Sequence, residues 1–68
     1  MSRIDQLKAF LADSPEDSFL QHALALEHIK LGDDHTARQL FETLLGRDPG
    51  YTGSYYHLGK LLERQGLT

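Results

Sequence analysis

The sequence predicts an all-α protein of four helices. Apolar residues recur at helical spacing in four segments, at about 2–12, 17–31, 34–46 and 52–65. Nowhere does the chain show the sustained alternation of apolar and polar residues that marks a half-buried strand. Glycine and proline stand between the segments and also recur at a constant offset along the chain, which predicts an internal repeat.

The first helix is predicted at about 2–12, where one stripe is formed by Ile4, Leu7 and Leu11. The stretch "SPED" then predicts the start of the second helix. Ser14 is expected to cap that helix, because serine is a favoured N-cap residue. Pro15 is expected in its first turn, where the fixed backbone angle of proline fits.

The second helix, at about 17–31, is apolar on two sides. One side carries Leu20, Ala23, Leu24, Glu27 and Leu31, and the other carries Phe19, Leu26 and Ile29. A helix of this kind must be packed on both sides or must offer one side to a partner. Gly32 is expected to end the helix in the left-handed conformation.

The third and fourth helices each show one apolar stripe. In the third, which Asp33 or Asp34 is expected to cap, the stripe is Ala37, Leu40, Phe41, Leu44 and Leu45. In the fourth it is Tyr55, Leu58, Gly59 and Leu62, with Tyr56 beside it. Gly66 is expected to close the fourth helix.

Four pairs of identical residues are separated by 34 positions. They are Leu11 and Leu45, Pro15 and Pro49, Leu24 and Leu58, and Gly32 and Gly66. A period of 34 residues is typical of repeats built from two helices joined by a turn.

The sequence therefore resembles the tetratricopeptide repeat family. Residues 18–51 match one full unit, through Leu24-Ala25, Gly32, Ala37, Phe41, Leu44, Leu45 and Asp48-Pro49. Gln21 and His28 depart from the family pattern, because aromatic residues are common there. Residues 1–15 resemble the second helix of a preceding unit, and 52–68 resemble the first helix of a following one. The resemblance implies a short right-handed α-solenoid of stacked antiparallel helix pairs, and it is the family that supplies the handedness.

The resemblance also implies a non-catalytic protein-protein interaction module. In the family, the first helices of successive units line a concave groove that holds a peptide or a helix of a partner. Carried over by position, the groove residues are Phe19, His22, Leu26, Ile29, Lys30, Tyr56, Lys60 and Arg64, with Glu63 beside them. The alternative is that Phe19, Leu26 and Ile29 only pack against a neighbouring helix, and the sequence leaves both open.

A second alternative is self-association. Because 68 is twice 34, the first residue of one copy falls in phase after the last residue of another. Head-to-tail stacking could then bury the apolar face of the last helix. Repeat arrays usually need about three units, so we also expect the natural protein to continue past residue 68.

Composition argues against several other classes of function. Seven basic and ten acidic residues give a net charge of -3, and the basic residues are scattered, which disfavours a nucleic-acid partner. No stretch approaches the roughly 20 apolar residues of a membrane span. The chain has no cysteine and no secretory core, so a cytoplasmic location is the default.

Catalysis, metals and cofactors are not expected. No two of the four histidines, His22, His28, His35 and His57, are three or four residues apart, as a two-ligand helical zinc site needs. The stretch "GSYYHLGKL" is one residue out of register for a phosphate-binding loop and follows no strand. No nucleophile with a paired base can be identified either.

Overall fold

The chain folds into four α-helices. The structure is a computed structural model that describes residues 2–66, in which α1 spans Arg3–Asp13, α2 Ser18–Lys30, α3 Asp34–Arg47 and α4 Thr52–Arg64. Residues 2–66 contain no β-strand, so the all-α prediction is confirmed. Met1, Leu67 and Thr68, at the outer ends of the predicted segments 1–15 and 52–68, lie outside the described residues.

The start of α2 differs from the prediction. Its N-cap is Asp17, whose Oδ1 accepts a hydrogen bond from the backbone N–H of Leu20 at 3.2 Å. Ser14 instead ends α1, where its backbone N–H donates to the carbonyl of Phe10, and Pro15 lies in the turn between the helices. The predicted capping role of Ser14 was wrong because α1 extends to Asp13 and leaves Ser14 as its C-cap.

Replacing Asp17 with alanine should lower the free energy of unfolding by about 1 kcal/mol, the usual effect of losing an N-cap side chain. Asp17→Ser keeps a capping oxygen and should recover most of that loss. Urea denaturation followed by circular dichroism measures both variants. Equal stability of the alanine variant and the wild type would show that the Asp17 bond contributes nothing.

The turn between α2 and α3 follows the sequence prediction. Gly32 has φ of +79°, which is the left-handed conformation that favours glycine. Asp33 then caps α3, since its Oδ1 accepts from the backbone N–H of Thr36 at 3.2 Å. Gly66 adopts a similar φ of +71° after α4, so the predictions for both glycines are confirmed.

Polar bonds between helix ends show that successive helices run in opposite directions. Arg3, at the start of α1, forms an ion pair with Glu27, near the end of α2, with Nε and Oε1 2.8 Å apart. The hydroxyl of Ser18, at the start of α2, donates to Asp48 just past the end of α3 at 3.0 Å.

The same holds at the other end of the molecule. Arg64, at the end of α4, donates two hydrogen bonds of 3.0 and 3.1 Å to Asp34 at the start of α3.

The core lies where α2, α3 and α4 meet. Its fully buried cluster consists of Ala25, Ala37, Phe41 and Leu61. The two alanines, one on α2 and one on α3, have no side chain beyond Cβ, so those helices can approach closely. Phe41 and Leu61 supply most of the apolar volume, one from α3 and the other from α4.

The buried face of α4 agrees with the predicted stripe only in part, since Leu58 packs against the core cluster but the fully buried positions are others. Ser54 and Leu61 are its buried residues, whereas Tyr55 is 48% exposed. A Cβ built at Gly59 would meet no atom within 4 Å, so the glycine is not a close-packing position in the described chain. The prediction failed because helical spacing shows which residues share a face, but not which face the neighbouring helix covers.

Candidate functional site

A hydrogen bond between side chains joins α2 to α4. His22 Nδ1 lies 2.7 Å from the hydroxyl oxygen of Ser54, which is fully buried. Ser54 lies in the first turn of α4, directly after Gly53. A Cβ built at Gly53 would stand 4.0 Å from His22 Cε1, so the chain passes close to the imidazole there. This hydrogen bond therefore joins the first turn of α4 to the second turn of α2.

Aromatic rings surround His22. Its ring centroid lies 5.3 Å from that of His57, 5.4 Å from that of Tyr51 and 5.6 Å from that of Phe41. His57 also stacks on Phe41, with centroids 6.1 Å apart and the rings 5° from parallel. We call His22, Phe41, Tyr51 and His57 the ring cluster. It links α2, α3 and α4 through one set of contacts.

The environment of His22 favours the neutral imidazole. Burial lowers the pKa of His22, because the charged form loses hydration, and the nearby charge of His57 lowers it further. The unfolded chain restores the ordinary pKa of about 6.5. Below that pH the unfolded state binds more protons at this position than the folded state does, so acid weakens the fold.

We therefore expect the free energy of unfolding to fall as the pH drops from about 6.5 toward the lower folded-state pKa of His22. His22→Gln should flatten this part of the pH profile. His35→Gln, which changes an exposed histidine in the first turn of α3, should leave it unchanged. Denaturation between neutral and mildly acidic pH measures the slopes. If the free energy of unfolding of His22→Gln falls with pH as steeply as that of the wild type, a group other than His22 causes the pH dependence.

Two aromatic side chains project into solvent beside this junction. Phe19 on α2 and Tyr56 on α4 are each 65% exposed. Phe19 stands one turn before His22, and the ring centroid of Tyr56 lies 5.4 Å from that of His57, a member of the ring cluster. Lys60 Nζ lies 5.7 Å from the centroid of the Tyr56 ring, in the geometry of a cation–π contact. We call the surface carrying Phe19, His22, Tyr56 and Lys60 the α2–α4 face.

A shallow cleft opens at the start of α4. It has a volume of about 370 Å³ and is lined by His22, Gly50, Tyr51, Thr52 and Gly53. Its walls are one imidazole, one phenol ring and glycine backbone, so it offers apolar contact together with backbone hydrogen-bonding groups. A cleft of this size can hold one side chain of a ligand.

The eight predicted groove residues differ in their exposure and in their contacts within the chain. Phe19, Lys30, Tyr56 and Lys60 are exposed. Leu26 and Ile29 are only partly exposed, because they pack against the core cluster.

His22 and Arg64 have partners within the chain. His22 is bonded to Ser54, and Arg64 to Asp34. Arg64 is exposed but engaged by Asp34, which leaves four of the eight predicted residues exposed and available for contact with a ligand.

The residues that join the helices at the site were not predicted from the sequence. His57, Ser54 and Tyr51 contact His22 but were not assigned to a site. A usable signal did exist in the 34-residue period. In a chain with this period, residues of neighbouring units that face each other should be about 34 positions apart in the sequence. His57 follows His22 by 35 positions.

The described residues form neither a metal-binding cluster nor a membrane-spanning helix. Residues 2–66 contain no group of three or more His, Asp or Glu side chains placed to hold a metal ion. No helix in the same range is long and apolar enough to cross a membrane.

Comparisons with known proteins identify no relative. No family model matches the sequence, and neither the curated proteins nor the solved structures compared with it give a significant match.

Proposed function

We propose that the protein is a non-catalytic interaction module that binds an extended peptide of a partner protein on the α2–α4 face. The observation that carries this proposal is the pair of exposed aromatic side chains, Phe19 and Tyr56, on two helices joined through His22 and Ser54. Aromatic residues contribute strongly to protein interfaces, because each buries a large area at a small cost in conformational entropy.

The packing of the face favours binding over a purely structural role. The rings of Phe19 and Tyr56 remain mostly in solvent, while Leu26 and Ile29 on the same helix as Phe19 contact the core. The bond from His22 to Ser54 and the ring cluster fix the spacing of α2 and α4 before any ligand arrives. A preorganised face loses little entropy on binding.

The charges on the face favour a peptide with an acidic residue beside its apolar side chains. Lys60 lies over the Tyr56 ring, and Lys30 is exposed but pairs weakly with Glu27 at 3.6 Å. Arg64 is already engaged by Asp34 in two hydrogen bonds, so we assign it to the fold. A carboxylate of the ligand would therefore pair with Lys60.

We further propose that the helices stack as in tetratricopeptide repeats, with α2 and α3 as one pair and α1 and α4 as halves of neighbouring pairs. The 34-residue period, the left-handed Gly32 and the two alanines buried between α2 and α3 support this arrangement. So do the opposite directions of successive helices. In such a stack α2 and α4 lie side by side on the concave surface. A module of this type needs no cofactor, and we place it in the cytoplasm.

The test compares two adjacent tyrosines. A random peptide library selected against the protein supplies a labelled ligand, whose affinity is measured by fluorescence anisotropy. Tyr56→Ser should weaken binding at least about tenfold, the loss expected for a central aromatic contact. Tyr55→Ser removes a similar ring, 48% exposed and about 100° away from Tyr56 around the axis of α4, and should change the affinity less than about twofold.

A charge variant adds a second readout. Lys60→Glu should weaken the binding of acidic peptides. When the peptide library is selected again against this variant, basic peptides should be enriched. Equal losses from Tyr55→Ser and Tyr56→Ser, or a loss from Tyr55→Ser alone, would contradict the proposed face.

A further inference from the structure

One side of α4, next to the side that packs on the core, carries an apolar surface that residues 2–66 cover only in part, and Leu58, which packs against the core cluster, lies at its edge. Tyr55 is 48% exposed, Leu58 and Leu62 are half-buried, and no atom of residues 2–66 lies within 4 Å of a Cβ built at Gly59. We call Tyr55, Leu58, Gly59 and Leu62 the outer face of α4. It is separate from the α2–α4 face, which carries Tyr56 and Lys60.

The internal repeat shows what kind of element covers such a face. Subtracting 34 from these positions gives Gln21, Leu24, Ala25 and His28 on α2. There Leu24 and Ala25 are buried, and Ala25 belongs to the same core cluster as Ala37 and Phe41 of α3. The face of α2 that corresponds to the outer face of α4 is thus covered by α3.

The same offset relates α1 to α3. Leu7, Phe10 and Leu11 of α1 correspond to Phe41, Leu44 and Leu45 of α3. Leu7 is buried, but Phe10 is 59% exposed, whereas the corresponding Leu44 is 1% exposed. Helix α1 therefore has the apolar residues that α3 uses, and one of the largest remains in solvent.

We propose that α1 of a second copy of this chain packs on the outer face of α4, antiparallel to it, as α3 packs on α2. Phe10 of the second copy then lies against Tyr55 and Leu58, and its Leu11 also approaches the outer face. The copies join head to tail through two different surfaces, so each added copy presents a new outer face of α4.

The charges at the helix ends agree with this direction of packing. In the antiparallel arrangement Asp13, at the end of α1, lies near the start of α4, where the helix dipole is positive. Its N-cap, Tyr51, makes no side-chain capping hydrogen bond, so the first turn of α4 can accept a carboxylate as its cap.

The offset also predicts a specific polar contact. Ser18 donates to Asp48 where the start of α2 meets the end of α3. The corresponding residues are Thr52 on α4 and Ser14 on the second copy, and their hydroxyl groups can form a hydrogen bond.

Arg3 of α1 occupies the position that corresponds to the buried Ala37 of α3, although arginine is much larger than alanine. The absence of a side chain at Gly59, on the opposing helix α4, compensates for this larger residue. The residue of α2 that corresponds to Gly59 at the 34-residue offset is Ala25, which lies where α2 meets α3. Gly59 has no side chain and open space around it, and the guanidinium of Arg3 is drawn toward Glu27 of its own copy at 2.8 Å. The stem of Arg3 can then pass over Gly59.

Sedimentation equilibrium over a concentration series tests the proposal. A head-to-tail contact does not close on itself, so the average mass of the wild type should rise steadily above 7.7 kDa with concentration. Gly59→Gln should weaken this association at least about tenfold, because a long side chain blocks the approach of α1. The same substitution places a better helix former in α4, so the monomer should stay folded.

Phe10→Ser tests the other surface and has a matched control. It should weaken association by a similar factor, whereas Phe19→Ser removes an equally exposed phenylalanine from the α2–α4 face and should leave the mass profile unchanged. Circular dichroism checks that all three variants keep the helicity of the wild type.

Mixing the two defective variants shows whether the surfaces are different. The Gly59→Gln protein retains an intact α1, and the Phe10→Ser protein an intact α4. Together they should form dimers of about twice 7.7 kDa at concentrations at which each variant alone is still monomeric. A constant mass of 7.7 kDa for the wild type, association of both variants at wild-type strength, or a mixture that stays monomeric would overturn the proposal.

Discussion

Replacing Phe41 with alanine is expected to abolish the cooperative fold at room temperature. Phe41 is fully buried in α3, and its ring contacts the imidazoles of His22 and His57 at centroid distances of 5.6 and 6.1 Å. Truncation of a buried phenylalanine costs about 3–5 kcal/mol. A single core in a domain of this size supplies no more than about 3–5 kcal/mol of net stability. The loss thus equals the whole stability of the domain.

Thermal denaturation followed by circular dichroism measures this effect. The matched control is Phe19→Ala, since Phe19 is 65% exposed and its loss should change the free energy of unfolding by less than about 0.5 kcal/mol. A Phe41→Ala protein that unfolds cooperatively near the wild-type temperature would mean that the ring does not hold α2, α3 and α4 together.

Replacing Ala25 with leucine is the second change with a large expected effect. Ala25 on α2 and Ala37 on α3 are both fully buried in the core cluster. Added methylene groups at such a position force the helices apart, at a cost of about 1–3 kcal/mol. Leucine is nearly as good a helix former as alanine, so the loss would come from packing.

The control for Ala25→Leu is Ala9→Leu, which makes the same change at an exposed position of α1. It should alter the free energy of unfolding by no more than about 0.5 kcal/mol. Urea denaturation compares the two variants at equal protein concentration. Equal stabilities would show that α2 and α3 are not in close contact at Ala25.

Local signals in the sequence were sufficient for the helices and for one turn. Gly32 and Gly66 adopt the left-handed conformation, and Asp33 caps α3, because these residues satisfy the backbone within a few positions of themselves. The start of α2 could not be predicted in the same way. Ser14 and Asp17 are both good caps, and the choice between them depends on where α1 ends.

Which side of each helix is buried depends on contacts between distant residues. The apolar stripe of α4 includes Tyr55 and Gly59, yet α4 is buried at Ser54 and Leu61, which face its neighbours in the fold. Part of the candidate site was missed for the same reason. His22 and His57 are far apart in sequence and come together only when α2 and α4 pack through Ser54.

Binding of one ligand at both exposed aromatic residues requires that α2 and α4 act as a single surface. Phe19 and Tyr56 lie on different helices, and the ring cluster holds those helices together at His22. A ligand that contacts both aromatic residues should also sense the junction between them, including the cleft at Gly53.

NMR mapping of a selected peptide on the isotope-labelled protein tests most directly whether α2 and α4 share one binding face. We predict large shift changes at Phe19, Tyr56 and Lys60 and around the cleft at Gly53, with little change at Tyr55 and Leu62. Shift changes confined to α1, α3 or the outer face of α4, with Phe19 and Tyr56 unaffected, would contradict the proposed function.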